Sequence, residues 1–140
     1  MYKFALYKIE QVKGRIPFFK LVIDGRCAFD EFCNDIVKAG NEGALKSLLT
    51  NMDSLSNNLR LPPSKYKELR GRAKNDRIKD FEFKKNEYRV YGFVSDAGDI
   101  IVFGGKKTRQ ERDIARLREI KKEYFNTKRN DNQGRVTEKQ

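Results

Sequence analysis

YRVYGFVSDAGDIIVFGGKKTRQE, residues Tyr88–Glu111, decides how this chain is read. Tyr88 to Val94 is strand-like, Ser95-Asp96-Ala97-Gly98 is a turn, and Asp99 to Phe103 is the next strand. Gly104-Gly105 is expected to end it. Thr108-Arg109-Gln110-Glu111 has the form of a capping box, in which the threonine hydroxyl accepts an early helical N–H and Glu111 reaches back. Ile114, Leu117, Ile120 and Tyr124 then mark the buried stripe of a helix. One strand precedes this unit: Phe81-Glu82-Phe83-Lys84 alternates, and Lys85-Asn86-Glu87 supplies a turn. The three strands predict an antiparallel meander followed by a terminal helix.

Working towards the N-terminus, Ser64 to Asp80 reads SKYKELRGRAKNDRIKD, with seven cations and two acids before Asp80. Such a run is usually a solvated loop. The alternative is a flexible basic lip beside a binding groove, formed by Lys65, Lys67, Arg70, Arg72 and Lys74. Pro62-Pro63 stops any helix before it. Leu45, Leu48, Leu49, Met52 and Leu55 form one helical stripe, with Asn41 as its cap. Phe29, Phe32, Cys33, Ile36 and Val37 form another, ending at Gly40. The short link between the two predicts a helical hairpin whose apolar face a sheet must cover. Residues 2–9 and 18–23 are strand-like and could form a hairpin, the second strand ending at Asp24-Gly25. The predicted class is α+β: a small antiparallel sheet against a helical hairpin, with a C-terminal helix. Residues 1–126 are expected to be one domain. Residues 127–140 carry almost no apolar side chain and are expected to be a disordered basic or polar tail.

The charge is lopsided. Lys and Arg total 31 against 20 acids, a net +11. Residues 1–60 hold nine cations and seven acids, while residues 61–140 hold 22 and 13. A field that positive favours a polyanion as partner, since phosphate neutralisation releases counterions. Cys27 and Cys33 lie six residues apart, about 1.7 helical turns, so on a helix they point apart. With no histidine in the chain, neither a disulfide nor a zinc site is expected. Lys3 and Lys8 interrupt the N-terminal segment, and no run reaches membrane-spanning length. A cytoplasmic location is therefore expected.

With ELRGR at Glu68–Arg72, YRVYGF at Tyr88–Phe93 and IIVFGGKKT at Ile100–Thr108, the chain resembles the RelE/ParE toxin superfamily. The likeness is greatest to its phage-derived, HigB-like branch. It covers roughly residues 40–124, and its most specific pieces are the aromatic-Arg strand and the Lys-Lys-Thr before a terminal helix. The resemblance implies a RelE-like fold and the toxin of a type II toxin–antitoxin pair. It implies an antitoxin partner, of helix-turn-helix type, and the ribosome and mRNA as targets, with no membrane, metal or cofactor. Relatives of the RelE kind cut mRNA by attack of the ribose 2′-hydroxyl on the adjacent phosphate, whereas ParE-like relatives poison gyrase on the same fold.

By that resemblance Arg89 would grip the scissile phosphate, and Lys106 or Lys107 would offset charge or protonate the leaving oxygen. The lysines expected on the first meander strand are replaced by Asp80 and Glu82, flanked by Lys79 and Lys84. The reaction needs a base, charge stabilisation and an acid. Without histidine, the base would be a lysine whose pKa is lowered by neighbouring cations, or Glu82 or Glu87 facing the groove. Alternation puts Arg89, Tyr91 and Phe93 on one face, where Tyr91 would stack on a base. Arg109 and Arg112 would add RNA contacts. Against this stand plainer roles: Arg89 paired with Glu82 or Glu87, the tyrosines packed in the sheet, and the lysines solvated. A non-enzymatic binding module on the same scaffold is the competing reading.

Overall fold

Tyr88–Val94 is shielded on both sides, with every residue from Tyr88 to Phe93 buried. A strand so enclosed requires a covering layer on each face of the sheet. The computed structural model describes the backbone of residues 2–134 and the side chains of residues 2–129. Its elements are β1 (Phe4–Lys8), β2 (Phe18–Ile23), α1 (Ala28–Lys38), α2 (Glu42–Ser56), β3 (Tyr66–Glu68), β4 (Asp80–Lys85), β5 (Tyr88–Val94), β6 (Asp99–Lys106), a 3-10 turn at Lys107–Arg109, and α3 (Gln110–Gly134). The six strands form one sheet in the order β1-β2-β6-β5-β4-β3.

The expected meander is present: β4, β5 and β6 pair antiparallel in sequence. The sheet as a whole is mixed, however, not antiparallel. β2 pairs with β1 antiparallel and with β6 parallel, Phe18 opposite Asp99 and Lys20 opposite Ile101. The parallel pair is possible because the long connection through both helices returns the chain to the same end of the sheet. The sixth strand, β3, comes from the basic run expected to be a loop. Tyr66 lies opposite Phe83 and packs on Phe81 and Phe83, so one aromatic anchors a three-residue edge strand in a charged sequence.

One face of the sheet carries α1 and α2. Phe29, Phe32, Ile36, Leu48 and Met52 pack there on Phe18, Phe81, Phe83, Val90 and Ile101. Each such side chain, fully buried, stabilises the fold by about 1.5–3 kcal/mol. Val37, expected on the stripe, is instead exposed, because the stripe is completed by Phe29 and Ile36 and Val37 lies past its edge. Asn41 does sit at the start of α2, but its side chain makes no cap bond. Its amide donates to the Tyr88 hydroxyl at 2.6 Å, since a phenol at a core boundary needs a partner. Both cysteines are half-buried free thiols; Cys27 precedes α1 as its N-cap residue.

The opposite face is covered by α3. Leu117, Ile120 and Tyr124 pack on Tyr91, Phe93, Ile100 and Val102. β6 does not stop at the glycine pair but runs on to Lys106. The pair serves both layers: a Cβ on Gly104 would run into the Phe32 ring of α1, and one on Gly105 into the Asp113 carboxylate of α3. Only glycine lets backbone and helices approach so closely from both sides. Thr108 does not cap α3. It lies inside the 3-10 turn, which is preceded by Lys106 and has no side-chain cap bond. α3 continues through Gly134, so residues 127–134 are helical and not the start of a tail; residues 135–140 lie outside the described residues. No glycine or proline interrupts residues 110–133, so no strong helix breaker falls before Gly134.

Candidate functional site

The face of the meander under α3 was expected to be an open basic groove. It is a closed polar layer. Asp80 and Glu82 alternate with Phe81 and Phe83, so both carboxylates point to the α3 side, and both are fully buried. Each is met by partners from α3. Asp80 accepts from Arg118 at 3.0 and 3.1 Å and from Lys121 at 2.9 Å. Lys121 also meets Asp76 at 2.7 Å and donates to the Ile78 carbonyl at 2.7 Å. Burial pushes the Asp76 carboxyl up, but the Lys121 hydrogen bond, the Ile78 N–H and nearby Arg72 outweigh it, and the net direction is down. The hydrogen bond to Asp80 raises the Arg118 guanidinium.

Glu82 forms the second centre. The Gln110 amide, in the first turn of α3, donates to its two oxygens at 2.9 and 3.2 Å. Lys67 from β3 lies 3.7 Å away and Arg89 from β5 lies 4.0 Å away. Arg89 is nearly enclosed, and its Nη1 donates to the Asn86 and Tyr88 carbonyls, both at 2.9 Å. It is therefore a strand cation beside Glu82, not an exposed phosphate clamp. The predicted alternation holds: Lys84 lies opposite Arg89, and Tyr91 opposite Glu82. Tyr91 is fully buried, edge-on to Phe103, and its hydroxyl has no hydrogen-bond partner among the described residues. It cannot stack on a nucleobase. Burial, reinforced by the Glu82 and Asp113 carboxylates, pushes the phenol well above its usual range, so it stays protonated.

The other candidates lie outside this layer. Lys106 is exposed and bridges Glu87 at 3.1 Å. That hydrogen bond raises its ammonium, the opposite of what a lysine base requires. Lys107 is exposed, and its backbone N–H donates to the Glu87 carbonyl at 2.7 Å. Arg109 and Arg112 are exposed beside Asp113, whose carboxyl is raised by burial against the opposing pull of Arg109, Arg116 and Arg112. Lys65, Lys67, Arg70 and Lys74 are exposed, and Arg72 is half-buried, 3.6 Å from Glu68. The structure thus joins Lys67, Glu82, Lys84 and Arg89 on one face. Lys106 lies opposite Tyr88, on the face that carries α1 and α2, and Arg89 is buried whereas Lys107 is exposed. The basic run is not a flexible lip, because Arg118 donates to the Arg70 carbonyl at 2.7 Å and Lys121 holds Asp76 and Ile78.

Sequence reasoning missed Gln110, Arg118 and Lys121. Lys121 carried a usable signal: it falls four residues after Leu117 and one after Ile120, on the apolar stripe. A cation at such a position needs a buried acid, and Asp80 and Glu82 alternate with phenylalanines on the facing strand. No helix among the described residues is long and apolar enough to cross a membrane. Neither a protein-family model, nor a curated protein, nor a solved structure matches the chain.

Proposed function

We propose that this chain is a RelE-like toxin component that acts by binding polynucleotide and does not cut it. One observation carries the choice between the two modes. Most of the groups that cleavage would use are withdrawn: Glu82, Arg89 and Tyr91 lie beneath α3, and Lys106 is tied to Glu87, while Lys107 alone of the proposed charge-offsetting pair stays exposed without an ion pair among the described residues. The groups that binding would use are free: Lys65, Arg70, Lys74, Lys107, Arg109 and Arg112 are exposed and have no ion-pair partner among the described residues. The order of strand, two helices, three-strand meander and terminal helix supports the RelE-like part of the reading. An antitoxin of helix-turn-helix type and a target in the translation machinery, or gyrase, belong to the same proposal.

The test is controlled expression in bacteria with sequencing of mRNA 5′ ends. Growth arrest with intact mRNA ends is the expected result. Codon-phased breaks that disappear in Arg89→Lys would overturn it in favour of an endoribonuclease. That second reading has one feature behind it. Glu82 is a carboxylate flanked by Lys67 and Arg89 on a face shared with Lys84, which is a base beside phosphate-holding cations. It would require Gln110 to release Glu82. Cleavage would then be lost in Glu82→Gln and raised in Gln110→Ala.

A further inference from the structure

The link between β3 and β4 spends its acids inward. Asp76 and Asp80 are both engaged by Lys121, and Asp80 also by Arg118. The cations of the same link, Arg70, Lys74, Arg77 and Lys79, are left exposed, with no carboxylate partner among the described residues. The distal half of α3 adds Lys122, Lys128 and Arg129, also exposed and without ion pairs among the described residues. Two grooves run between these elements, of about 660 and 590 Å³, and both are bordered by Arg77, Ile78, Phe125 and Arg129. One unengaged carboxylate borders each, Glu119 in the first and Asp96 in the second.

On α3, Arg118, Lys122, Phe125 and Arg129 follow helical spacing and share a face. Arg118 is used to hold the link, so Lys122 and Arg129 flank an apolar floor of Phe125 and Ile78. From this arrangement we infer a second contact surface, away from Glu82, that holds a single-stranded phosphodiester chain. The cations take successive phosphates, and the Phe125–Ile78 floor takes an unpaired base. A duplex hides its base faces and gains nothing from that floor. The tethered backbone of the link matters here: cations carried on a held backbone lose less entropy on meeting phosphate than cations on a free loop. The inference rests on the polynucleotide reading above and adds where the strand lies.

The experiment is fluorescence anisotropy of labelled oligouridine RNA of about 12 nucleotides. Oligothymidine DNA and a duplex of equal length serve as further probes, over about 50–200 mM salt, with the full chain. The triple variant Arg77→Gln, Lys122→Gln, Arg129→Gln should reduce the steepness of log K against log salt by about 2, from three lost contacts. Its urea midpoint should match wild type, since none of the three side chains has a hydrogen-bond or ion-pair partner among the described residues. Phe125→Leu should weaken the single strands while leaving the duplex unchanged. Single-stranded RNA bound with or without DNA supports the surface equally. If wild type binds no probe, the polynucleotide reading itself fails, and this surface with it. If wild type binds but the triple variant keeps its salt slope while Lys67→Gln, Lys107→Gln loses it, the surface is overturned and the polynucleotide reading stands. Equal loss of single strands and duplex in Phe125→Leu would overturn the single-strand assignment.

Discussion

Asp99 opens β6 between Phe18 of β2 and Val94 of β5. Its backbone N–H donates to the Pro17 carbonyl at 3.0 Å, but no hydrogen bond or ion pair reaches its carboxylate among the described residues. Burial pushes this carboxyl up to about 6. In the unfolded chain an aspartate ionises near pH 4, about two pH units lower. As pH rises from about 4 to 6, the unfolded chain sheds this proton first, so the unfolded state is favoured and stability falls. The penalty is complete above about pH 6 and reaches at most about 3 kcal/mol. Asp99→Asn has nearly the same shape and no charge to lose. It should match wild type near pH 4 and exceed it by up to about 3 kcal/mol at pH 7. Urea unfolding of both proteins across this range measures the difference directly, and every other titrating group cancels in the comparison. A difference that is flat with pH, or an Asn variant less stable than wild type at neutral pH, would refute the argument that the half-buried Asp99 carboxylate lacks compensation.

Asp80→Ala removes the acid from between Arg118 and Lys121 and should cost up to about 3–5 kcal/mol in thermal or urea unfolding, because half-buried Arg118 loses its only carboxylate among the described residues and buried Lys121 keeps only Asp76. Gly104→Ala drives a methyl group into the Phe32 ring and should lower stability by about 1–3 kcal/mol. Gly43→Ala, in α2 with open space around the new methyl, should raise it by roughly 0.5–1 kcal/mol. Tyr91→Phe deletes a buried hydroxyl that has no hydrogen-bond partner among the described residues. It should leave stability unchanged or improve it by up to about 1–3 kcal/mol, with polynucleotide binding intact. A loss of binding there would restore a role for the phenol.

The elements that sequence made legible are those with one uncovered face. The stripes at Phe29–Ile36 and Leu45–Met52 lie against a single sheet, and their period survives packing. The meander was legible because its turns are short and local. What was hidden depends on partners far along the chain. Whether Asp80 and Glu82 face water or a helix is decided by α3, some 30 to 40 residues later, and alternation alone does not say what covers a face. The parallel pairing of β2 with β6 leaves no local mark either. Gly104-Gly105 was misjudged as a strand end because a glycine pair has the same sequence signature in a turn and at a crowded crossing. For the site, the face of Arg89 and Tyr91 was read correctly, but its accessibility was not.

The parallel β2–β6 contact has a consequence for how the chain reaches this state. β2 cannot acquire its inner neighbour until residues 99–101 have been made, some 80 residues after β2 itself is synthesised. Until then the apolar side of α1 lacks Ile101, whereas α2 can already rest on Phe81 and Phe83 of β4. Contacts between such distant segments slow folding, because a long loop must close before they are rewarded. The meander, joined by tight turns, is the natural first nucleus, and the N-terminal third is added to it. A nascent chain stalled before β6 would expose the apolar side of α1 and an unpaired strand edge, the two features that draw chaperones or lead to aggregation.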